Sequence, residues 1–475
     1  MKASRDDLMR LTPFEEYMYY DDRVDYPMEI FVHFRLTGEI DREKLETAFC
    51  RSLLDHPLFR SSVVCRRGRL YWHCRDDLQC SIDWDVESRD DGLPLTILPL
   101  EFMSGGAGAR LYVCTEGEQV MLTLQVHHAC CDGIGACRFL SDMLIEYDRL
   151  VSGEESSEVN RAKRSEEALH KLKSRGRMGL TWSWFLRYMF SQLSGFLGAW
   201  QFFSRRPISL ADSSRADEGS AGSCDKNPAM RRKIFTAEET TRLIAEVKSQ
   251  GLTLTEKLLY DLHRAISEWV GERTNDDGAD GSNDPWVRIS LPISLRTPRT
   301  ESIPSANVVS MVFFDRRSSD LVDRQRGQQG LKEQLRVILR RKLGYMLIWS
   351  LFISRFLPGG IKKTVRDERR PVSSILTNLG KDFLPHFLSQ DSDGCVVVGR
   401  LRLEACRIIP PLRPGTHVGF SISTYAKRLA VDMHYDRANI SPVHADQMLA
   451  KFVSHIDGTS EQGDGLTSDQ GGDRI

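Results

Sequence analysis

Two adjacent histidines followed by an aspartate and a glycine are the residues of this chain best suited to chemistry: His127-His128-Ala129-Cys130-Cys131-Asp132-Gly133. An imidazole titrates near neutrality, so it can take a proton from a hydroxyl and return it to a departing group within one reaction. Asp132 is near enough in sequence to orient such a base, or to serve only the shape of the loop. Cys130 and Cys131 offer thiols, yet adjacent cysteines ligate a metal poorly without further spaced ligands, and the sequence supplies none. They read as small side chains filling the variable positions of the pattern, and no metal is expected.

The stretches on either side say how the histidines would be held. Val120, Leu122, Leu124 and Val126 alternate with Met121, Thr123 and Gln125, the period of a half-buried strand. Ile134, Cys137, Leu140, Leu144 and Tyr147 then recur at helical spacing, with Asp132 and Gly133 where a helix begins. A strand end is rigid, so a histidine there can be fixed with one nitrogen turned toward a cavity.

The remaining elements suffice for two lobes. Upstream, the pattern predicts a strand over 29–36, a helix capped by Asp41 and closed by His56-Pro57, and hairpins over 60–74 and 110–126. Downstream, it predicts helices over 237–250, 253–269, 321–342 and 441–455. Strands are predicted over 286–295, 307–314, 372–379, 395–403, 417–424 and 428–435. No tandem repeat is visible. The expected division is a first lobe over 1–155, a crossover over 156–230, a second lobe over 231–457 and a polar, disordered tail over 458–475. The Ser-, Asp- and Gly-rich stretch 212–227 reads as a flexible link.

A chain of 475 residues, 41% hydrophobic and 28% charged, is long enough for two ordinary cores. Its net charge of -1 asks for no nucleic acid. Eleven cysteines without a CxxC pair or regular spacing fit a reduced, cytoplasmic protein, and the first seven residues lack the apolar run of a signal peptide. The segment 181–203 stands apart. It is rich in Trp, Phe and Leu, but Arg187, Gln192 and Gln201 interrupt it and basic residues flank it. It is expected to lie in a lipid interface or to act as a lid rather than to span a membrane. With the apolar stretch 344–357, it favours lipid-like substrates and peripheral contact with the inner face of a membrane.

The HHxxxDG spelling resembles the active-site motif of the acyltransferases related to chloramphenicol acetyltransferase. That superfamily includes peptide-synthetase condensation domains, wax ester synthases, alcohol acyltransferases and polyketide-associated acyltransferases. Further signals resemble it in the same order. They are Thr12-Pro13 before acidic and aromatic residues, His56-Pro57-Leu58-Phe59-Arg60 before a hairpin, Pro292 to Arg296, Thr377-Asn378-Leu379-Gly380, and a final hairpin. Together they cover most of residues 10–456, excepting the crossover and two polar loops. The DFGWG segment of plant-type members is missing, which argues against that branch.

The resemblance implies an α/β fold of two similar sandwich lobes with the active site in a tunnel between them. It makes His128 the general base and His127 its structural neighbour, although a strand-end histidine taken alone is more often structural. Asp132 would face away from the base and pair with an arginine. Arg296 is the candidate, its plainer reading being a solvated strand end. Gly133 would keep substrate or helix packing clear, or be a simple turn glycine. Thr377, Asn378, Ser423 and Thr424 are candidate tunnel or oxyanion donors, while His417 and His434 receive no role. The implied activity is transfer of an acyl group from a thioester, acyl-CoA or an acyl carrier protein, to a lipid-like or secondary-metabolite alcohol, by a monomer with no bound cofactor. Besides an integral membrane transferase, two other readings stay open. One is a free-standing condensation domain joining carrier-bound substrates through an amide, its carrier acting in trans. The other is a non-catalytic relative that binds a lipid in the same tunnel.

Overall fold

The structure, a computed structural model, describes residues 8–75, 77–154, 158–177, 192, 195–211, 227–276, 284–298, 300, 302–366, 372–381, 383–384 and 388–459. Most of the aromatic segment 181–203, the link 212–227, the middle of the polar loop after residue 276 and nearly all of the tail lie outside these residues.

Alternating stretches form strands, and stretches with helical spacing form helices. The first part of the chain runs β1 (Leu8–Arg10), α1 (Pro13–Asp21), β2 (Glu29–Thr37), α2 (Arg42–Asp55), β3 (Ser61–Arg66), β4 (Arg69–Cys74), β5 (Ser81–Asp83), β6 (Ala109–Glu116), β7 (Gln119–His127) and α3 (Gly133–Val151). Two helices, α4 (Glu158–Lys173) and α5 (Gly195–Ser204), lie in the crossover. The second part begins with β8 (Ala229–Ile234), α6 (Ala237–Ser249), α7 (Leu254–Asp276), β9 (Val287–Ser294), β10 (Val309–Arg316) and α8 (Arg324–Arg340). It continues through α9 (Tyr345–Ser354), α10 (Gly360–Val365), β11 (Ser374–Asn378), β12 (Val397–Val398), β13 (Leu401–Ile409), β14 (Val418–Tyr425), β15 (Arg428–Tyr435) and α11 (Pro442–Asp457). Local chemistry sets the ends. Thr12 and Glu15 form a reciprocal capping box on α1, and Asp41 and Asp132 cap α2 and α3. Ala426 and Lys427 both take positive φ, the two-residue turn that suits the twist of the β14–β15 hairpin.

Two six-stranded sheets carry the lobes, in the orders β12-β13-β2-β7-β6-β5 and β10-β9-β11-β14-β15-β8, and a third small sheet is β1-β4-β3. The first sheet departs from the expected division. Position in the chain predicts residues 395–403 in the second lobe, but β13 pairs antiparallel with β2, Arg402 opposite Thr37 and Ile409 opposite Phe31. The free edge of β2 needs a partner for its backbone N–H and C=O groups, and β13 supplies it. Leu401, Leu403, Cys406 and Ile408 then enter the first core, joined there by Tyr345, Ile348 and Leu351 of α9. The lobes are therefore interleaved. A second link is ionic, where the buried Asp432 of β15 lies 3.2 Å from both Arg407 of β13 and Arg232 of β8.

A second departure concerns β7. Period-two patterning predicts one wet face, yet Thr123, Gln125 and His127 are as buried as the apolar residues between them. The polar face is covered, and Thr123 and Gln125 find partners beneath that cover. Thr123 Oγ1 meets His33 Nδ1 at 2.9 Å, and Gln125 Nε2 donates to Glu29 Oε2 at 2.6 Å and to the Leu98 carbonyl at 3.0 Å.

Candidate active site

The motif begins on the last rung of the β2–β7 ladder, where Glu29 stands opposite His127. One residue further on, the His128 N–H donates to the Met28 carbonyl at 2.6 Å, so the chain stays tied to the sheet through the second histidine. His127 is buried and stacks on Phe102 at 4.1 Å between ring centroids. Its Nδ1 accepts the Ala129 N–H at 3.1 Å, which puts the proton of a neutral ring on Nε2, 3.7 Å from Asp22 Oδ1. Nε2 makes no hydrogen bond among the described residues, so the ring is fixed through Nδ1 and its stack on Phe102.

His128 is different. The residue is part-buried, with Phe14 of α1 edge-on to its ring at 6.2 Å. Its Nδ1 is enclosed and finds no protein partner among the described residues. Burial lowers its pKa below the ordinary histidine value, with the backbone of His128 and Cys131 and the carboxylate of Asp132 acting the other way. The shift favours the neutral imidazole, the form that can accept a proton.

The loop after the histidines is clamped from the second half of the chain. Asn307 donates through Nδ2 to the carbonyls of His128 and Ala129, at 2.7 and 2.9 Å. Arg296 meets Asp132 with both guanidinium nitrogens at 2.8 Å, and its Nη2 also donates to the Ala306 carbonyl. The Asp132 carboxylate further accepts the N–H groups of Gly135 at 2.8 Å and Val308 at 3.0 Å. Burial would raise this carboxyl, but Arg296 and the backbone donors outweigh it and hold the pKa below the usual aspartate value. With four donors to satisfy, Asp132 is a cap and a strut rather than the orienting acid of a triad. Ser305 extends the contact. Its Oγ donates to the Gly135 carbonyl at 2.6 Å, and its N–H donates to His56 Nδ1, whose Nε2 lies 3.0 Å from Asp142.

The two glycines of the helix start differ in what holds them. A Cβ on Gly133 would meet only the Ile408 side chain at 3.6 Å, an ordinary contact, so packing does not require glycine there. On Gly135 it would fall 2.9 Å from Cys131 Cβ and 3.3 Å from the Ala306 nitrogen. Cys130 and Cys131 are fully buried, and burial pushes both thiols well above the usual cysteine range, which disfavours their thiolates.

The expected oxyanion donors lie on the second sheet. Thr377 of β11 pairs with Ser421 of β14, and Ser423 is two residues beyond, all on the face opposite to Leu376, Phe420 and Ile422 of the second core. Asn378 is engaged elsewhere, its Nδ2 donating to Thr255 and its Oδ1 accepting from Gly380. Thr424 follows at the strand end, its N–H given to the Gly380 carbonyl. Among the described residues, none of these four hydrogen-bonds to His127, His128 or Asp132. His417 pairs with Asp436 at 3.1 Å, and His434 Nδ1 faces the Pro410 carbonyl at 2.8 Å. Sequence reasoning missed Asn307 and Asp22, since neither stands at a spacing that ties it to the motif.

No family model and no curated protein matches this sequence. Solved structures do. Polyketide synthase associated protein 5 from Mycobacterium tuberculosis is similar with a TM-score of 0.61 at 15% identity, over 96% of this chain and 99% of that one. The trichothecene 15-O-acetyltransferase TRI3 from Fusarium sporotrichioides gives 0.63 at 11% identity, over 96% and 97%. The condensation domain of the Monacolin K polyketide synthase MokA gives 0.60 at 13%, over 96% and 97%. Likeness over nearly the whole length of each, at these identities, shows the fold. This chain has the two-lobed, chloramphenicol acetyltransferase-like α/β fold that condensation domains and acyltransferases share.

Proposed function

We propose that this protein is an acyltransferase that moves an acyl group from a thioester, acyl-CoA or an acyl carrier protein, to an alcohol, with His128 as the general base. The observation that supports the reading is His128 itself, a part-buried residue at the end of β7 whose burial favours the neutral imidazole, in a fold of the condensation and acyltransferase type. With Nδ1 enclosed by protein, Nε2 is the nitrogen for an incoming hydroxyl. It takes the hydroxyl proton as the oxygen attacks the thioester carbonyl. The new C–O bond forms, the tetrahedral intermediate carries the negative charge, and its collapse breaks the C–S bond. The thiolate leaves with the proton that the imidazolium returns. No covalent enzyme intermediate is needed when both substrates meet at one base. Thr377 and Ser423 are proposed to face the reacting carbonyl from the second sheet.

A second reading is amide formation between carrier-bound substrates, favoured by likeness to excised condensation domains such as the first of the CDA synthetase, matched over 95% of each chain. One assay separates the two. Free thiol release is followed with an acyl-CoA chain-length series and an acylated carrier protein, against alcohol and amine acceptors, for wild type and His128→Ala. The proposal expects transfer to alcohols, lowered on the order of 100-fold or more in the variant at unchanged melting temperature. A folded His128→Ala protein with near wild-type turnover removes His128 as the base, and turnover with amines alone gives the second reading.

A further inference from the structure

The helix α9 is apolar on the side where a surface helix is normally polar. Tyr345, Ile348 and Leu351 form its inward stripe and belong to the first core. The opposite side should then carry charged residues. Instead Phe352 is 42% exposed, Ile353 57%, and the residues just past the helix end, Phe356 and Leu357, 76% and 57%. Single exposed hydrophobics are ordinary, but four within six residues make a patch. Aromatic contacts join it, with Trp349 to Phe352 at 6.3 Å and Phe352 to Phe356 at 5.4 Å between centroids.

The stretch of chain that carries the patch has charge of one sign. Residues 334–366 contain eight Lys and Arg and no Asp or Glu. Arg355 is turned inward to Glu16 at 2.8 Å. Arg340, Arg341 and Lys342 precede α9 and Lys362, Lys363 and Arg366 follow it, all exposed. We propose that this face docks on an anionic lipid bilayer, inserting Phe352, Ile353, Phe356 and Leu357 below the head groups while the flanking cations meet lipid phosphates and carboxylates. A bilayer offers apolar depth and surface anions together, the combination this face matches. At about 15 Å for its ten residues, α9 is too short to span, so contact is peripheral. Among the described residues no helix is long and apolar enough to cross a membrane.

The neighbouring contacts extend the surface and connect it to the motif. Gln192 Nε2 donates to the Arg341 carbonyl, and the start of α5 lies against Met346, so the end of the expected lipid segment leans on α9, with Trp200 of α5 66% exposed. On the inner side, Arg355 holds Glu16 and the Leu11 carbonyl of the α1 region, and Phe14 of α1 faces His128. An apolar molecule leaving the bilayer would arrive one helix away from that imidazole. The docking itself stands without the acyl-transfer reading.

Flotation of the full chain with phosphatidylcholine vesicles, with and without phosphatidylserine, tests this. Wild type and His128→Ala should both float with the anionic vesicles. Binding should fall roughly tenfold or more on neutral vesicles, in Phe352→Ser/Phe356→Ser and in Lys362→Gln/Lys363→Gln, and it should weaken with salt. The lysine variant changes only exposed side chains, so it remains informative should the phenylalanine variant fold poorly. Absence of wild-type flotation, or flotation unchanged in both variants, overturns the proposal. So does a dimer, seen by light scattering, that Phe352→Ser/Phe356→Ser dissolves, because the patch is then a protein interface.

Discussion

Replacing Asp132 by Asn should destabilise the join between the lobes as well as slow the proposed acyl transfer. The carboxylate accepts four hydrogen bonds, two from Arg296 and one each from the Gly135 and Val308 N–H groups. An amide of the same shape turns one acceptor oxygen into a donor facing donors, so about half of these bonds are lost and the arginine charge stays behind. Breaking one side of a buried pair costs ~3–5 kcal/mol. The Arg296 side chain keeps 18% of its surface, so water recovers part of the loss and the lower end, about 3 kcal/mol, applies. Arg296→Met leaves the carboxylate its two backbone donors and the option of protonation, for about 2 kcal/mol. If the two residues act through each other, the double variant costs no more than Asp132→Asn alone, a coupling of about 2 kcal/mol. Urea unfolding of the four proteins, followed by tryptophan fluorescence at low and high salt, measures it, and so enclosed a pair should show little screening. The folded Asp132 pKa is depressed, so the coupling is full above the unfolded carboxyl pKa of about 3.9 and is lost as pH falls through the folded value. A coupling below about 0.5 kcal/mol, or an Asp132→Asn protein unfolding with wild type, refutes the strut.

Two further outcomes follow from the same geometry. Because burial lowers the His128 pKa and the base must be neutral, kcat/KM should be flat at neutral pH and fall only below the ordinary histidine value; an acidic limb centred above about 6.5 contradicts this. Gly135→Ala should lower the melting temperature through its contact with Cys131, while Gly133→Ala should melt like wild type. A rate loss confined to Gly133→Ala would show that its open side is needed by substrate, and equal melting losses in both would contradict the packing.

The elements flanking the candidate site were legible in the chain alone. The alternation from Val120 to Val126 and the helical spacing from Ile134 to Tyr147 depend on neighbours in the chain, so they survive folding as β7 and α3, with Asp132 at the cap between them. The pairing of Asp132 with Arg296 was legible only through the order of motifs in a related family, since 164 residues separate them. Tertiary structure alone decided where β13 goes. Its alternating pattern would satisfy either sheet, and only the free edge of β2 selects one. It also buried the polar face of β7, because Thr123 and Gln125 look solvent-bound until His33 and Glu29 are brought against them. Asn307 is invisible for the same reason: its amide matters only once folding sets it against the carbonyls of His128 and Ala129. Local periodicity is written in adjacent residues, whereas the choice among compatible long-range partners is made by whichever packing satisfies the buried polar groups.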